Sequence, residues 1–93
     1  MLSAEDFKLN KEQFFAKVEE AEQKEFKDFK ESGDFGLEHI FQFWVAIKPC
    51  LVNGIYIEEL QEKYEDNGLE FRYEWMKDHN IDYLRIELRI PGY

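Results

Sequence analysis

Apolar side chains return along this chain in two rhythms: every three to four residues over most of its length, and every second residue near its end. Phe14, Phe15, Val18, Ala21, Phe26 and Phe29 keep the helical spacing, with Glu22 the one break in the stripe. Asn10, with Gln13 three residues on, has the form of a capping box, and Leu9 with Phe14 that of a hydrophobic staple. Glu20 and Lys24 stand four apart on the wet face. Ser32-Gly33 is a stop, with Gly33 suited to a left-handed cap. The pattern predicts a first helix over residues 11–31. Ser3 and Asp6 predict a short helical turn before it, with Phe7 tucked inward.

The next segment carries both rhythms. Leu37, Ile40, Phe41, Trp44 and Val45 fall on one helical stripe, and Asp34 is placed to cap it. Phe41, Phe43, Val45 and Ile47 also alternate, as in a buried strand. The expectation is a second helix over 36–47, with a strand as its rival, ending before Pro49 because proline disfavours helical geometry at the preceding residue. Asn53-Gly54 reads as a turn. Ile57, Leu60 and Tyr64 then predict a third helix over 55–66, closed by Asn67-Gly68.

Strict alternation follows. Leu69, Phe71, Tyr73 and Trp75 share one face and Glu70, Arg72 and Glu74 the other. Leu84, Ile86, Leu88 and Ile90 oppose Arg85, Glu87 and Arg89 in the same way. Pairing Tyr73 with Ile86 sets Glu74 opposite Arg85, Arg72 opposite Glu87 and Glu70 opposite Arg89. A slip of two residues sets Arg72 against Arg85 and Glu70 against Glu87. Cross-strand pairs are worth about 0.2–1 kcal/mol each and like charges oppose pairing, so the first register wins. It leaves Asp78 to Ile81 in the loop and Lys77 opposite Asp82. The charged side is then a self-neutralising ladder. A two-stranded ribbon is marginal alone, so helices must cover its apolar side. The expected fold class is α+β: three helices packed on one face of a C-terminal antiparallel β-hairpin, with residues 40–47 as the candidate third strand.

Length and charge then narrow the function. Ninety-three residues make one domain, and 44% hydrophobic with nine phenylalanines is enough for a core. A formal charge of −9 repels nucleic acid and anionic membrane and attracts basic proteins. The one cysteine, Cys50, cannot close an internal disulfide and is expected to be a small buried residue. The first ten residues lack the apolar stretch of a signal peptide, and no apolar run approaches the ~20 residues of a membrane span. A cytoplasmic protein is expected.

Several fragments resemble chemical motifs without their context. Gly33–Gly36 spells GDFG, but the chain lacks the glycine-rich loop and catalytic HRD of a kinase. Lys63 to Glu74 matches half of a calcium loop, yet an ammonium at its first position cannot ligate calcium. His39 and His79 have no His or Cys at ligand spacing, and Ser3 and Ser32 suit helix boundaries. No metal, cofactor or catalytic set is expected. Three helices before a hairpin also resemble a winged helix, but the reading helix would be the third, where Glu58, Glu59, Glu62, Glu65 and Asp66 face one base, Lys63.

That helix is the informative oddity. Glu65 and Asp66 fall in its last turn, where the macrodipole favours cations and each misplaced charge costs about 0.3–1 kcal/mol. The expected partner-binding set is Tyr56, Glu58, Glu59, Glu62, Tyr64, Glu65 and Asp66, the tyrosines serving as aromatic anchors. The expectation is a small acidic interaction module, not an enzyme, that binds and inhibits a basic protein such as a nuclease or another nucleic-acid-binding protein. Immunity proteins and DNA-mimicking inhibitors are the analogies in charge and size. The alternative is a self-associating structural subunit, a homodimer joined by edge strands or by Phe43 and Trp44. A winged-helix-like regulator and a small enzyme rank below these.

Overall fold

The computed structural model describes residues 1–32 and 40–92. A single turn, α1 (Ala4–Phe7), precedes a long helix, α2 (Lys11–Ser32). A strand, β1 (Ile40–Ala46), a 3-10 turn at Pro49–Leu51 and a helix, α3 (Gly54–Asp66), follow. Two strands, β2 (Glu70–Asp78) and β3 (Ile81–Arg89), complete an α+β fold. The sheet is antiparallel with order β1-β3-β2, so the last strand in sequence is the central one.

Local chemistry sets the boundaries. Asn10 Oδ1 accepts from Gln13 N at 2.8 Å and Gln13 Oε1 accepts from Asn10 N at 3.0 Å, the reciprocal capping box that starts α2. Asn53 Oδ1 accepts from Ile55 N at 3.2 Å and opens α3. At its other end Gly68 N donates to Glu65 O at 3.0 Å and Leu69 N to Tyr64 O at 3.0 Å. That pair of bonds is a Schellman motif, and it needs the positive φ of 83° at Gly68. The hairpin turns on His79 and Asn80 at φ 49° and 66°, as a two-residue I′ turn requires.

The hairpin register is the expected one, with Tyr73 opposite Ile86, Trp75 opposite Leu84 and Phe71 opposite Leu88. The turn is tighter than expected, because Asp78 and Ile81 are themselves paired. The main correction concerns the second helix. Residues 40–46 are a strand paired to β3, with Phe43 opposite Ile86 and Val45 opposite Leu84. A helix would bury Trp44 and Val45 together, whereas the strand leaves Trp44 44% exposed and Val45 3%. What decides it is the unsatisfied edge of β3, which offers a backbone ladder to a segment rich in β-branched and aromatic residues. Two long helices and one turn of helix therefore replace the three expected. The Gly33 cap, the Asp34 cap, the GDFG fragment, the expected helix start at 36–39 and His39 lie outside the described residues.

Both helices cover one sheet face. Phe14 and Val18 from α2 and Ile57 and Leu60 from α3 meet Phe43, Val45, Phe71, Leu84, Ile86 and Leu88 from the strands. Each such large side chain contributes about 1.5–3 kcal/mol by leaving water. A bond from Leu9 N to Leu51 O at 2.9 Å ties the start of α2 to the 3-10 turn. Phe7 and Cys50 are corrections: Phe7 is 63% exposed and Cys50 is exposed. The 3-10 turn aims Val52 into the core and leaves Cys50 outside.

Candidate functional site

The residues of α3 divide cleanly by direction. Ile57, Leu60 and Tyr64 turn to the core, so the outward stripe is Ile55, Glu58, Glu62, Glu65 and Asp66, all exposed. The four carboxylates of that stripe form no ion pair among the described residues. Glu65 Oε1 only accepts from Gln61 Nε2 at 2.7 Å.

The nearby cations are turned away from it. Lys63 stands over the Phe15 ring at 4.7 Å, on the side facing α2. Lys11 approaches the same ring at 5.8 Å and places its ammonium 2.7 Å from Glu59 Oε2. That hydrogen bond, and the Glu59 charge behind it, raise the Lys11 pKa above its usual value. The expected site therefore splits. Glu58, Glu62, Glu65 and Asp66 stay together on the surface, while Glu59, its side chain 35% exposed, is engaged by α2.

Tyr64 is engaged there too. Its hydroxyl donates to Glu22 Oε1 at 2.9 Å, and its ring stacks on Phe71 with centroids 5.8 Å apart. Burial, reinforced by the Glu22 carboxylate, holds that hydroxyl protonated far above the ordinary tyrosine range. Tyr64 is an internal strut, not an anchor. Tyr56 is half-buried at the flank of the stripe and packs against the core.

The open face of the sheet is a second surface, only part of which the charge pattern announced. All three arginines of the chain, Arg72, Arg85 and Arg89, stand on it. Arg85 Nη2 binds Glu74 Oε2 at 2.7 Å and Arg89 Nε binds Glu70 Oε2 at 3.0 Å, two of the three expected pairs. The third is diverted: Glu87 lies 3.7 Å from Arg85, and Arg72 forms no hydrogen bond or ion pair among the described residues. Trp44, Met76 and Tyr83 extend this face at its far end. For Trp44 the signal is the alternation of residues 41–47, which fits the strand and not the helix.

Neither surface has the makings of a metal centre: among the described residues no three His, Cys, Asp or Glu side chains gather to hold an ion. No described helix is long and apolar enough to cross a membrane. Among the described residues the segment before α3 is a strand and the 3-10 turn at Pro49–Leu51, in place of the helix that a helix-turn-helix sets there. No protein-family model matches the chain, and neither the curated proteins nor the solved structures contain a match to it.

Proposed function

We propose that this chain is a small acidic interaction protein, not an enzyme, which docks the outer face of α3 on a basic protein surface in the cytoplasm and blocks it. The observation that carries the reading is the stripe Glu58, Glu62, Glu65 and Asp66, left without cations while Lys11 and Lys63 are drawn to Phe15. Neutralising the stripe would have been simple for a chain with nine lysines. Leaving Glu65 and Asp66 at the C-terminal end of a helix costs stability of about 0.3–1 kcal/mol each. A surface that carries that cost suits a partner that supplies the missing positive charge. A nuclease or another nucleic-acid-binding protein presents such a surface, and the analogy with immunity proteins and DNA mimics rests on charge and size.

Opposite charge steers such partners together and makes association salt-sensitive. The test immobilises the wild-type chain beside a quadruple variant, E58Q/E62Q/E65Q/D66N, and identifies bound proteins by mass spectrometry at low and high salt. Basic proteins are expected on the wild type at low salt, and are to be lost both at high salt and on the quadruple variant, whose circular dichroism stays unchanged. Equal capture by the folded variant overturns the proposal.

A further inference from the structure

We infer that the free edge of β2 is a self-recognition strand, pairing antiparallel with β2 of a second copy about a two-fold axis at Tyr73. This stands apart from the reading of α3. The sheet has two edge strands, β1 and β2. The flank of β1 is met by α2, whose Lys17, Ala21 and Glu25 line one groove with Trp44, Val45 and Ala46. Of the nine residues of β2 only Phe71 is buried and Trp75 half-buried. The strand has no proline, and its pairing to β3 runs without a bulge, so the usual backbone devices that blunt an edge are absent from it.

Backbone direction gives the donors. Ile47 N donates to Asp82 O at 3.2 Å, continuing the β1–β3 ladder. Even-numbered residues of β3 therefore turn their backbone groups to β1 and odd-numbered ones to β2. The partners of those odd residues are Glu70, Arg72, Glu74, Met76 and Asp78. Phe71, Tyr73, Trp75 and Lys77 are left with N–H and C=O groups pointing away from the sheet.

Side chains then choose the occupant and the register. Opposed residues of a continuous sheet must lie on one face, so the axis falls on a residue. Centred on Arg72, self-pairing opposes Arg72 to itself and Glu70 to Glu74. Centred on Glu74, it opposes two carboxylates. Centred on Trp75, it sets Arg72 opposite Asp78 but places Tyr73 against Lys77; centred on Tyr73, it sets Arg72 opposite Glu74 twice and Phe71 opposite Trp75 twice, which adds the aromatic pairs. Tyr73 meets its own copy, and Tyr73–Tyr73 and Phe71–Trp75 are the pairs whose outward backbone groups exchange hydrogen bonds. Arg72, which has no partner within the described chain, acquires one. Tyr73, 47% exposed on the helix side, is covered. Two chains of charge −9 thus meet across a segment, Phe71–Trp75, that carries one acid and one arginine balance: Arg72 and Glu74.

The test is sedimentation of the full chain over a concentration series. A dimer is expected for the wild type. Arg72→Glu and Glu74→Arg each oppose like charges at two places and weaken self-association by about tenfold or more, as two reversed cross-strand pairs imply. Mixing those two variants restores both contacts, so a heterodimer is expected where neither variant pairs with itself. Tyr73→Pro removes an outward N–H and no bond of the β2–β3 ladder, and is expected to give a folded monomer. A wild type that stays monomeric at every concentration overturns the inference. So does a dimer untouched by the single variants, or a mixture of the two that remains monomeric.

Discussion

The Tyr64 hydroxyl lies 2.9 Å from the Glu22 carboxylate, and this one bond joins α3 to α2 where the apolar stripe of α2 is broken. An acid in a row of phenylalanines is accounted for by the donor that reaches it. Tyr64→Phe is expected to cost about 1 kcal/mol, the net worth of such a bond. It is read as a lower midpoint in urea with the slope unchanged.

The same contact sets a pH dependence at the alkaline end. Tyr64 and Lys11 both hold their protons more tightly folded than unfolded, against usual values of 10.0 and 10.5. Their contribution is complete below those values and is lost as pH rises through and beyond them. Stability is therefore expected to fall above about pH 10. Tyr64→Phe flattens that fall, measurable as thermal midpoints across an alkaline series.

The hairpin turn holds two non-glycine residues at positive φ, His79 at 49° and Asn80 at 66°. Replacing them with Asn-Gly, the preferred pair for this turn, is expected to stabilise the protein by about 0.5–1 kcal/mol. His79 is 91% exposed in its side chain, so no packing is lost. Thermal unfolding gives the answer directly.

Neighbours in β1 should behave unlike each other. Phe43 is fully buried and Trp44 is 44% exposed on the open face. Phe43→Ala is expected to cost about 3–5 kcal/mol, and Trp44→Ala about 1 kcal/mol or less. A helix over the same residues would make Trp44 the costlier loss, so the pair discriminates strand from helix by denaturation alone.

Asp66→Lys places a cation at the C-terminal end of α3 and is expected to gain about 0.3–1 kcal/mol in stability. If the acidic stripe docks a basic partner, the same change weakens low-salt binding. Tm and capture should therefore move in opposite directions.

Short-range rules govern what is legible in this sequence. The caps of α2 and α3 are local, and the hairpin register follows from alternation and three charge pairs. Residues 40–47 satisfied two periods at once, and only the waiting edge of β3 separates them, a fact about a segment some forty positions away. Glu59 and Tyr64 belonged to the expected docking set because their helix is acidic and aromatic. Their partners, Lys11 and Glu22, come from a different helix, and nothing in the spacing of α3 points to them. Phe7 and Cys50 failed for a related reason: apolar character says what a residue prefers, not whether the core has room for it.

The strand order also dictates a sequence of events. β1 is finished at Ala46, but its neighbour β3 is not complete until Arg89. During synthesis Phe43 and Val45 must wait, with nothing to lie against but the ring side of α2. The β2–β3 hairpin closes around two residues, on a scale of about 1–10 μs. Docking of β1 is the slow, long-range step. The molecule should thus mature backwards, from its late-made ribbon toward its early-made helix, and a chain stalled short of that ribbon would be a natural client for a chaperone.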